Sequence, residues 1–398
     1  MEKKKNDKKW MRYRHRVIRN LAWLVLYPYS VLRYGIRVTP FREQGDRAYL
    51  ILMNHQTAFD QFFIGMAVKG PIYYMATEDI FSLGWISRLL RWLVAPIPIK
   101  KQTTDISAVM TCMRIAREGG TIALAPEGNR TYSGRTLYMN PAIAKMAKKL
   151  KLPIALYRIE GGYGVQPRWT DKLRKGSMTG GVVKVIEPEE YKAMTDDQLM
   201  DAIREGLYVD EARVSGEFDC KARAEYLERA IYVCPHCGFS KFESHGHEIT
   251  CGTCGRKAAY NKDKTLSGDF PFPFVADWYD YQESFVNRYD PAEHLLEPIF
   301  RDTADVSKVI VYSHKEKFLK KAPMALYGDR MTVGDTTYHF DDITAAACLG
   351  RNKLNIYYGK DVFQFKGDKR FNALKYVNLY FRYRNIKRGD ENGNFLGL

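Results

Sequence analysis

Four cysteines stand in two short turns, CPHCG at residues 234–238 and CGTCG at residues 251–255, with thirteen residues between the pairs. Each C-x-x-C places two thiolates on one tight turn, the Gly after the second Cys permits that turn, and two such turns complete a tetrahedral site. Cys234, Cys237, Cys251 and Cys254 are therefore expected to hold zinc. Four thiolates leave no position open for water, so the metal is structural. It supplies on the order of 10 kcal/mol to a segment too short for its own core. His236, His245 and His247 lie close by in sequence and are read as solvent-facing rather than as ligands. Cys112, Cys220 and Cys348 make the cysteine count odd. Together with the paired spacing, this argues for metal ligation under reducing, cytoplasmic conditions rather than a secreted disulfide framework.

The 398 residues carry 62 Lys plus Arg against 46 Asp plus Glu, a formal charge of +16. Such a chain meets a negative partner: a nucleic acid, an anionic membrane, a phosphorylated metabolite or an acidic carrier protein. A zinc ribbon invites the nucleic-acid reading. The basic residues, however, are spread along the chain, and the ribbon mixes Lys241, Arg256 and Lys257 with Glu243 and Glu248. That mixture argues against a nucleic-acid partner. No uninterrupted apolar run reaches about 18 residues, which argues against a protein that crosses a bilayer repeatedly.

The first 20 residues hold nine Lys or Arg against Glu2 and Asp7, and the apolar, aromatic LAWLVLYPYSVL (21–32) follows. This run is too short to span a bilayer, contains Pro28 and is followed by no small-residue cleavage site. Residues 1–40 are expected to lie in the headgroup plane of an anionic membrane surface, with Trp23, Tyr27 and Tyr29 at the interface. That would place the protein peripherally on the inner face of the cell membrane. The alternative is a solvated tail followed by a helix packed on the protein's own core.

From residue 41 to about 210, short apolar runs alternate with helical periodicity. YLILMNH (49–55), TIALAPEG (121–128), LPIALYRI (152–159) and GGVVKVI (180–186) read as strands. FDQFFIGMAVKG (59–70) reads as a helix, and MTDDQLMDAIREGL (194–207) as another, opened by a capping box from Thr195 to Gln198. Interleaved strands and helices define an α/β domain, assigned to residues 41–225.

Two motifs close strands of this domain. In NHQTAFD (54–60), a chain that turns into a helix brings the Asp60 carboxylate within reach of the His55 imidazole. It would orient the ring and make it a base for a hydroxyl proton. Alone, the pair is weak, since a histidine capping a loop looks the same. In APEGNRT (125–131), Pro126 ends the ladder, Gly128 lets backbone approach a ligand, and Arg130 presents a planar fork suited to phosphate oxygens. Between them, EDIFSLGWISRLLRWLVAPIPIKK (78–101) supplies apolar surface, including Phe81, Trp85, Leu89 and Trp92, and then Lys100 and Lys101. Base, phosphate cradle and apolar wall form one constellation.

In these residues the chain resembles the PlsC-like glycerolipid acyltransferases, which include 1-acyl-sn-glycerol-3-phosphate acyltransferases. NHQTAFD is similar to that family's N-H-x4-D block, PIPIKK takes the place of a block ending in Asp-Arg, APEGNRT is similar to F-P-E-G-T-R-S, and LPIALYRIEG to V-P-I-V-P-V. The likeness covers roughly residues 40–190 and departs from the family at Lys100, Lys101, Asn129, Thr131 and Asn140-Pro141. It implies a mixed sheet flanked by helices, and direct acyl transfer from an acyl thioester, acyl-ACP or acyl-CoA, to a lysophospholipid hydroxyl. The foremost acceptor would be 1-acyl-sn-glycerol-3-phosphate. It further implies His55 as general base held by Asp60, a phosphate held by Arg130 with Lys100, Lys101 and the Gly128 backbone, and Glu127 ordering that loop or touching the glycerol. The alternatives are another lysolipid or small hydroxyl acceptor, or a catalytically silent lipid-binding scaffold.

Past the zinc ribbon (226–266), GDFPFPFVADWYDY opens a stretch read as a linker, 267–300. Residues 301–398 change character: MALYGDRMTV, TTYHF, ITAAACL, KLNIYY and DVFQFK are short alternating runs, and RFNALKYVNLYFRYRN is helical. Several strands and one closing helix suggest a small β-rich domain like pleckstrin-homology or GRAM domains.

Overall fold

A computed structural model describes residues 9–77, 80–99, 106–310, 314–390, 393 and 395. Lys100 and Lys101 lie outside the described residues.

The first half is built on seven strands: β1 (Ile36–Val38), β2 (Leu50–Met53), β3 (Ile72–Thr77), β4 (Ile97–Ile99), β5 (Thr121–Leu124), β6 (Ile154–Glu160) and β7 (Met178–Ile186). They lie in the order β1-β7-β6-β2-β5-β3-β4, parallel throughout except for the β6/β7 pair, so the sheet is mixed. The helices are α1 (Tyr13–Tyr34), α2 (Asp60–Ala67), α3 (Trp85–Val94), α4 (Ile106–Arg117), α5 (Ala142–Leu150), α6 (Gly162–Val165), α7 (Pro188–Ala193) and α8 (Asp196–Leu207). The central strand β2 is apolar at every position because both faces are covered. Leu50 and Leu52 pack with Cys112, Ala147 and Ile203 on one side, while Ile51 and Met53 pack with Phe63 and Ile64 on the other. The capping box opens α8, with Thr195 Oγ1 accepting from Gln198 N at 3.1 Å and Gln198 Oε1 from Thr195 N at 2.8 Å.

The cysteine segment forms the pair β8 (Val233–Cys234) and β9 (Gly238–Phe239), then the antiparallel sheet β10 (Phe242–His245), β11 (Glu248–Cys251), β12 (Lys257–Tyr260) and β13 (Leu266–Gly268). Gly238 and Gly255 adopt φ of 73° and 72°, the left-handed conformation that the turn after each second cysteine demands. Lys264, buried in the β12–β13 turn, reaches into the α/β half and donates to the carbonyls of Glu211 and, at 2.5 Å, Val214.

Residues 267–300 correct the linker reading. They contain helix α9 (Val275–Arg288), whose Trp278 is buried among Phe242, Phe270 and Phe272 and donates from its indole to Val233 O at 2.9 Å. Gln282 beside it accepts from Tyr232 N at 2.8 Å and donates to Ala230 O at 3.0 Å. Val275, Trp278, Tyr279, Gln282 and Val286 fall on one helical face, a periodicity that the Phe-Pro repeat ahead of it obscures.

The C-terminal part is a second seven-stranded sheet, wholly antiparallel and curled: β14 (Phe300–Ile310), β15 (His314–Leu326), β16 (Arg330–Val333), β17 (Thr336–His339), β18 (Ile343–Leu349), β19 (Lys353–Tyr358) and β20 (Asp361–Lys366). Their order is β17-β16-β15-β14-β20-β19-β18, and β14 is irregular between Ala304 and Ser307. The closing helix α10 (Leu374–Lys387) follows. Its Leu374, Val377, Leu379 and Phe381 share one apolar core with α9, the ribbon and Tyr132, Tyr163 and Trp169 of the α/β half. No described helix is long and apolar enough to cross a membrane.

Candidate functional site

Strands β2 and β5 are parallel neighbours, with Leu52 opposite Leu124, so the chain leaves both at the same edge of the sheet. Ligands in open α/β sheets bind beyond these carboxyl ends. The two sequence motifs sit there and are stitched together: His55 N donates to Glu127 Oε1 at 2.8 Å, and Thr131 N to His55 O at 3.2 Å.

Helix α2 begins at Asp60, one turn past His55, and the fully buried carboxylate collects the donors of that turn. Asp60 Oδ2 lies 2.7 Å from His55 Nδ1 and accepts from Gln56 N at 2.8 Å; Oδ1 accepts from Thr57 N at 2.9 Å and Thr57 Oγ1 at 2.5 Å. A carboxylate so held only accepts, which puts the imidazole proton on Nδ1 and leaves Nε2 with a free lone pair. The His55 side chain is 29% exposed against 1% for Asp60, so the free edge of the ring is open to a substrate while its support is not.

Glu127 is buried and takes no part at the open edge. Besides the His55 amide it accepts from Leu137 N at 2.7 Å, so it ties the histidine loop to the chain beyond the Arg130 loop. Burial, with Asp60 nearby, pushes its carboxyl up to about 8, while the two backbone donors pull the other way. Of the two roles expected for Glu127, the geometry is that of ordering the loop. Gly128 adopts a φ of 67° in a turn where Gly128 N donates to Ala125 O at 3.0 Å. A Cβ there would meet nothing within 4 Å, so backbone conformation rather than crowding calls for glycine.

Arg130 Nη1 is shut off from solvent without a hydrogen-bond partner among the described residues. Burial and the repulsion of Arg168 and Arg351 lower the affinity of its guanidinium for its proton, to about 10. Neither Arg168 nor Arg351 was legible as a neighbour of Arg130, since one lies in the loop after α6 and the other in the turn between β18 and β19 of the C-terminal sheet. The His55 loop has a further buried support that the motif alone did not reveal, where Gln56 Oε1 accepts from Tyr163 N at 3.1 Å.

The apolar segment between the motifs divides. Phe81 is buried, whereas Trp85, Ile86, Leu89 and Trp92 of α3 are exposed, Trp85 by 66%. Helix α1 runs through Pro28 without a break and exposes Leu21, Trp23, Leu24, Val25, Tyr27, Tyr29 and Leu32. The two helices pack on each other, and Arg14 of α1 donates to Trp92 O at 3.0 Å. Arg19 fastens α1 to the α2 region through Gly65 O at 3.1 Å and Val68 O at 2.5 Å.

In the ribbon, the Sγ atoms of Cys234, Cys237, Cys251 and Cys254 all lie within 4.8 Å of one another. The Cys234 and Cys254 sulfurs are 3.9 Å apart and not bonded. A tetrahedron with metal–sulfur bonds of about 2.3 Å has edges of about 3.8 Å, so the donor set fits a metal ion. His236 and His245 are exposed, while His247 is half-buried and accepts from Arg223 N at 3.3 Å; none joins the cysteine group.

Residues 35–159 match the family model described as Acyltransferase. Among curated proteins, the chain is 23% identical over 179 residues to the 1-acyl-sn-glycerol-3-phosphate acyltransferase of Bacillus subtilis (strain 168), covering 44% of this chain and 86% of that protein. It is 21% identical over 202 residues to a chloroplastic 1-acyl-sn-glycerol-3-phosphate acyltransferase of Brassica napus, covering 50% of this chain and 56% of that one. Among solved structures, the lysophosphatidate acyltransferase PlsC of Thermotoga maritima is similar with a TM-score of 0.38 and 19% identity, over 50% of this chain and 76% of that chain. Residues 35–159 of the α/β half are thus an acyltransferase domain. The protein is an acyltransferase that carries, beyond that domain, a four-cysteine ribbon and a curled C-terminal sheet.

Proposed function

We propose that the protein transfers a fatty acyl group from an acyl thioester, acyl-ACP or acyl-CoA, to the free hydroxyl of a lysophospholipid. The foremost acceptor is 1-acyl-sn-glycerol-3-phosphate, which would become phosphatidate. The observation that carries this reading is the 2.7 Å contact of His55 Nδ1 with Asp60, on the sheet edge that also bears the Arg130 loop. His55 Nε2 takes the proton of the acceptor hydroxyl as its oxygen attacks the thioester carbonyl carbon. The carbon–sulfur bond then breaks, and the leaving thiolate recovers the proton from the imidazolium. Asp60 stabilises the charged ring through the transfer, and no acyl-enzyme is formed. Arg130 receives the acceptor phosphate, Glu127 and Gly128 set the loop that carries it, and the Lys100 and Lys101 assignment rests on sequence alone.

The relatives named for 1-acyl-sn-glycerol-3-phosphate support the choice of acceptor. The exposed aromatic faces of α1 and α3 support an anionic membrane surface as the place where acceptor is met, on the cytoplasmic side of the cell membrane. In the ribbon the four thiolates are assigned a structural zinc ion, with all coordination positions filled by protein.

The test is purified protein with an acyl thioester and a panel of lysolipids, followed by thiol release. Lysophosphatidate should give the fastest release, and His55→Ala should lower kcat by about 10²- to 10⁴-fold with an unchanged melting temperature. Wild-type turnover by that variant would falsify the mechanism.

A further inference from the structure

The hairpin between β18 and β19 turns at Gly350, Arg351 and Asn352, and it lies against the Arg130 loop. The buried guanidinium of Arg168 joins the two. It donates to Arg130 O at 2.8 Å, to Cys348 O at 3.1 Å and to Gly350 O at 3.4 Å, and stacks over the Tyr132 ring at 4.3 Å. These acceptors are carbonyls, which satisfy donors but neutralise no charge. Arg351 pairs with Asp171 at 3.0 Å, yet Asp171 is shared with Arg229, which holds it at 2.8 Å and 3.2 Å. Asp60 is taken up by His55 and the Gln56–Thr57 turn. Arg130, Arg168 and Arg351 therefore converge with more positive charge than these carboxylates balance, and among the described residues Arg130 Nη1 is left as a buried donor without a partner. A buried unsatisfied donor, charged above all, is costly, and an anion at that point would remove the cost.

We infer that the β18–β19 hairpin of the C-terminal sheet is part of the acceptor site, and that Arg351, with Arg168 behind it, selects an acceptor ending in a dianionic phosphomonoester. This rests on the reading of Arg130 as the ligand of the acceptor phosphate. A phosphomonoester brings close to two charges and three terminal oxygens to meet several guanidiniums; a zwitterionic headgroup brings one charge and an added cation that they repel. The C-terminal sheet would then be a component of catalytic specificity rather than an appended module.

The experiment measures KM and kcat for 1-acyl-sn-glycerol-3-phosphate, and the inhibition constant of inorganic phosphate, in the full-length wild type, Arg351→Ala, Arg351→Lys and Arg130→Ala. Loss of one charge-assisted contact should raise both KM and the inhibition constant roughly tenfold in Arg351→Ala, with kcat within about twofold, and lysine should restore part of the loss. Arg351→Met keeps the stem and removes the charge, so a folded variant is in hand should alanine loosen the hairpin. If Arg351→Ala and Arg351→Met leave both constants within about twofold while Arg130→Ala raises them, the hairpin is not in the site and the proposal is overturned, although the acceptor reading stands. If Arg130→Ala also leaves them unchanged, or the wild type does not turn over this acceptor, the phosphate reading fails and takes the hairpin with it.

Discussion

Helices α3 and α10 are both rich in apolar and aromatic residues, yet the protein treats them in opposite ways. In α3 the buried residue is Ser87, while Trp85, Ile86, Leu89 and Trp92 face outward. In α10 the side chains from Leu374 to Arg382 are all buried, and several of its polar groups are partnered inside. Asn378 donates to Tyr232 OH at 2.7 Å, Lys375 pairs with Asp302 at 2.7 Å and Arg382 donates to Tyr289 O at 2.9 Å. A helix buried along most of its length is held by its own protein; one whose apolar stripe stays open needs another apolar phase. Apolar content alone separates core from docking surface poorly. What separates them is whether the rest of the chain supplies a cover.

Three experiments can break or sharpen that contrast. The largest effect should come from the ribbon, which shares a core with α10: chelation of the metal proposed for its four cysteines should remove on the order of 10 kcal/mol of folding free energy from that unit. Fluorescence of the buried Trp278 should shift to the red and near-UV circular dichroism should fall. A chelated protein with an unaltered spectrum would show that the cysteines need no metal to hold the ribbon. Next, Leu379→Ala in α10 should cost about 2–5 kcal/mol in denaturant unfolding, because Leu379 is only 1% exposed and its loss opens a cavity. A cost below about 1 kcal/mol would mean that α10 is not packed as described. The smallest effect on stability belongs to the double variant Trp85→Ala and Leu89→Ala in α3, within about 0.5 kcal/mol of wild type. Its affinity for anionic vesicles in flotation should nonetheless fall about tenfold. A large loss of stability with unchanged flotation would reverse the roles given to the two helices.

The parts of the site that were legible are local. Asp60 follows His55 by one turn, and all its partners fall within residues 55–57, so a strand end running into a helix start was enough to bring them together. The cysteine turns and the Thr195 capping box are local in the same way. The linker reading failed because Pro271 and Pro273 mask the helical period that begins at Val275. The first half of β15 was missed because HKEKFLKK has no apolar alternation; most of its residues are exposed.

From residue identities and spacings alone come the His55–Asp60 contact, the glycine turns, the four thiolates and the α/β alternation. Each depends on side chains a few bonds apart, where backbone geometry leaves little choice. Only tertiary packing decided that Arg168 would grip Arg130 O and, 182 residues further on, Gly350 O, that α3 would stay bare, and that the C-terminal sheet would reach the acyltransferase motif. Those outcomes depend on which surfaces bury one another, and the surfaces of distant segments meet only after the chain has folded.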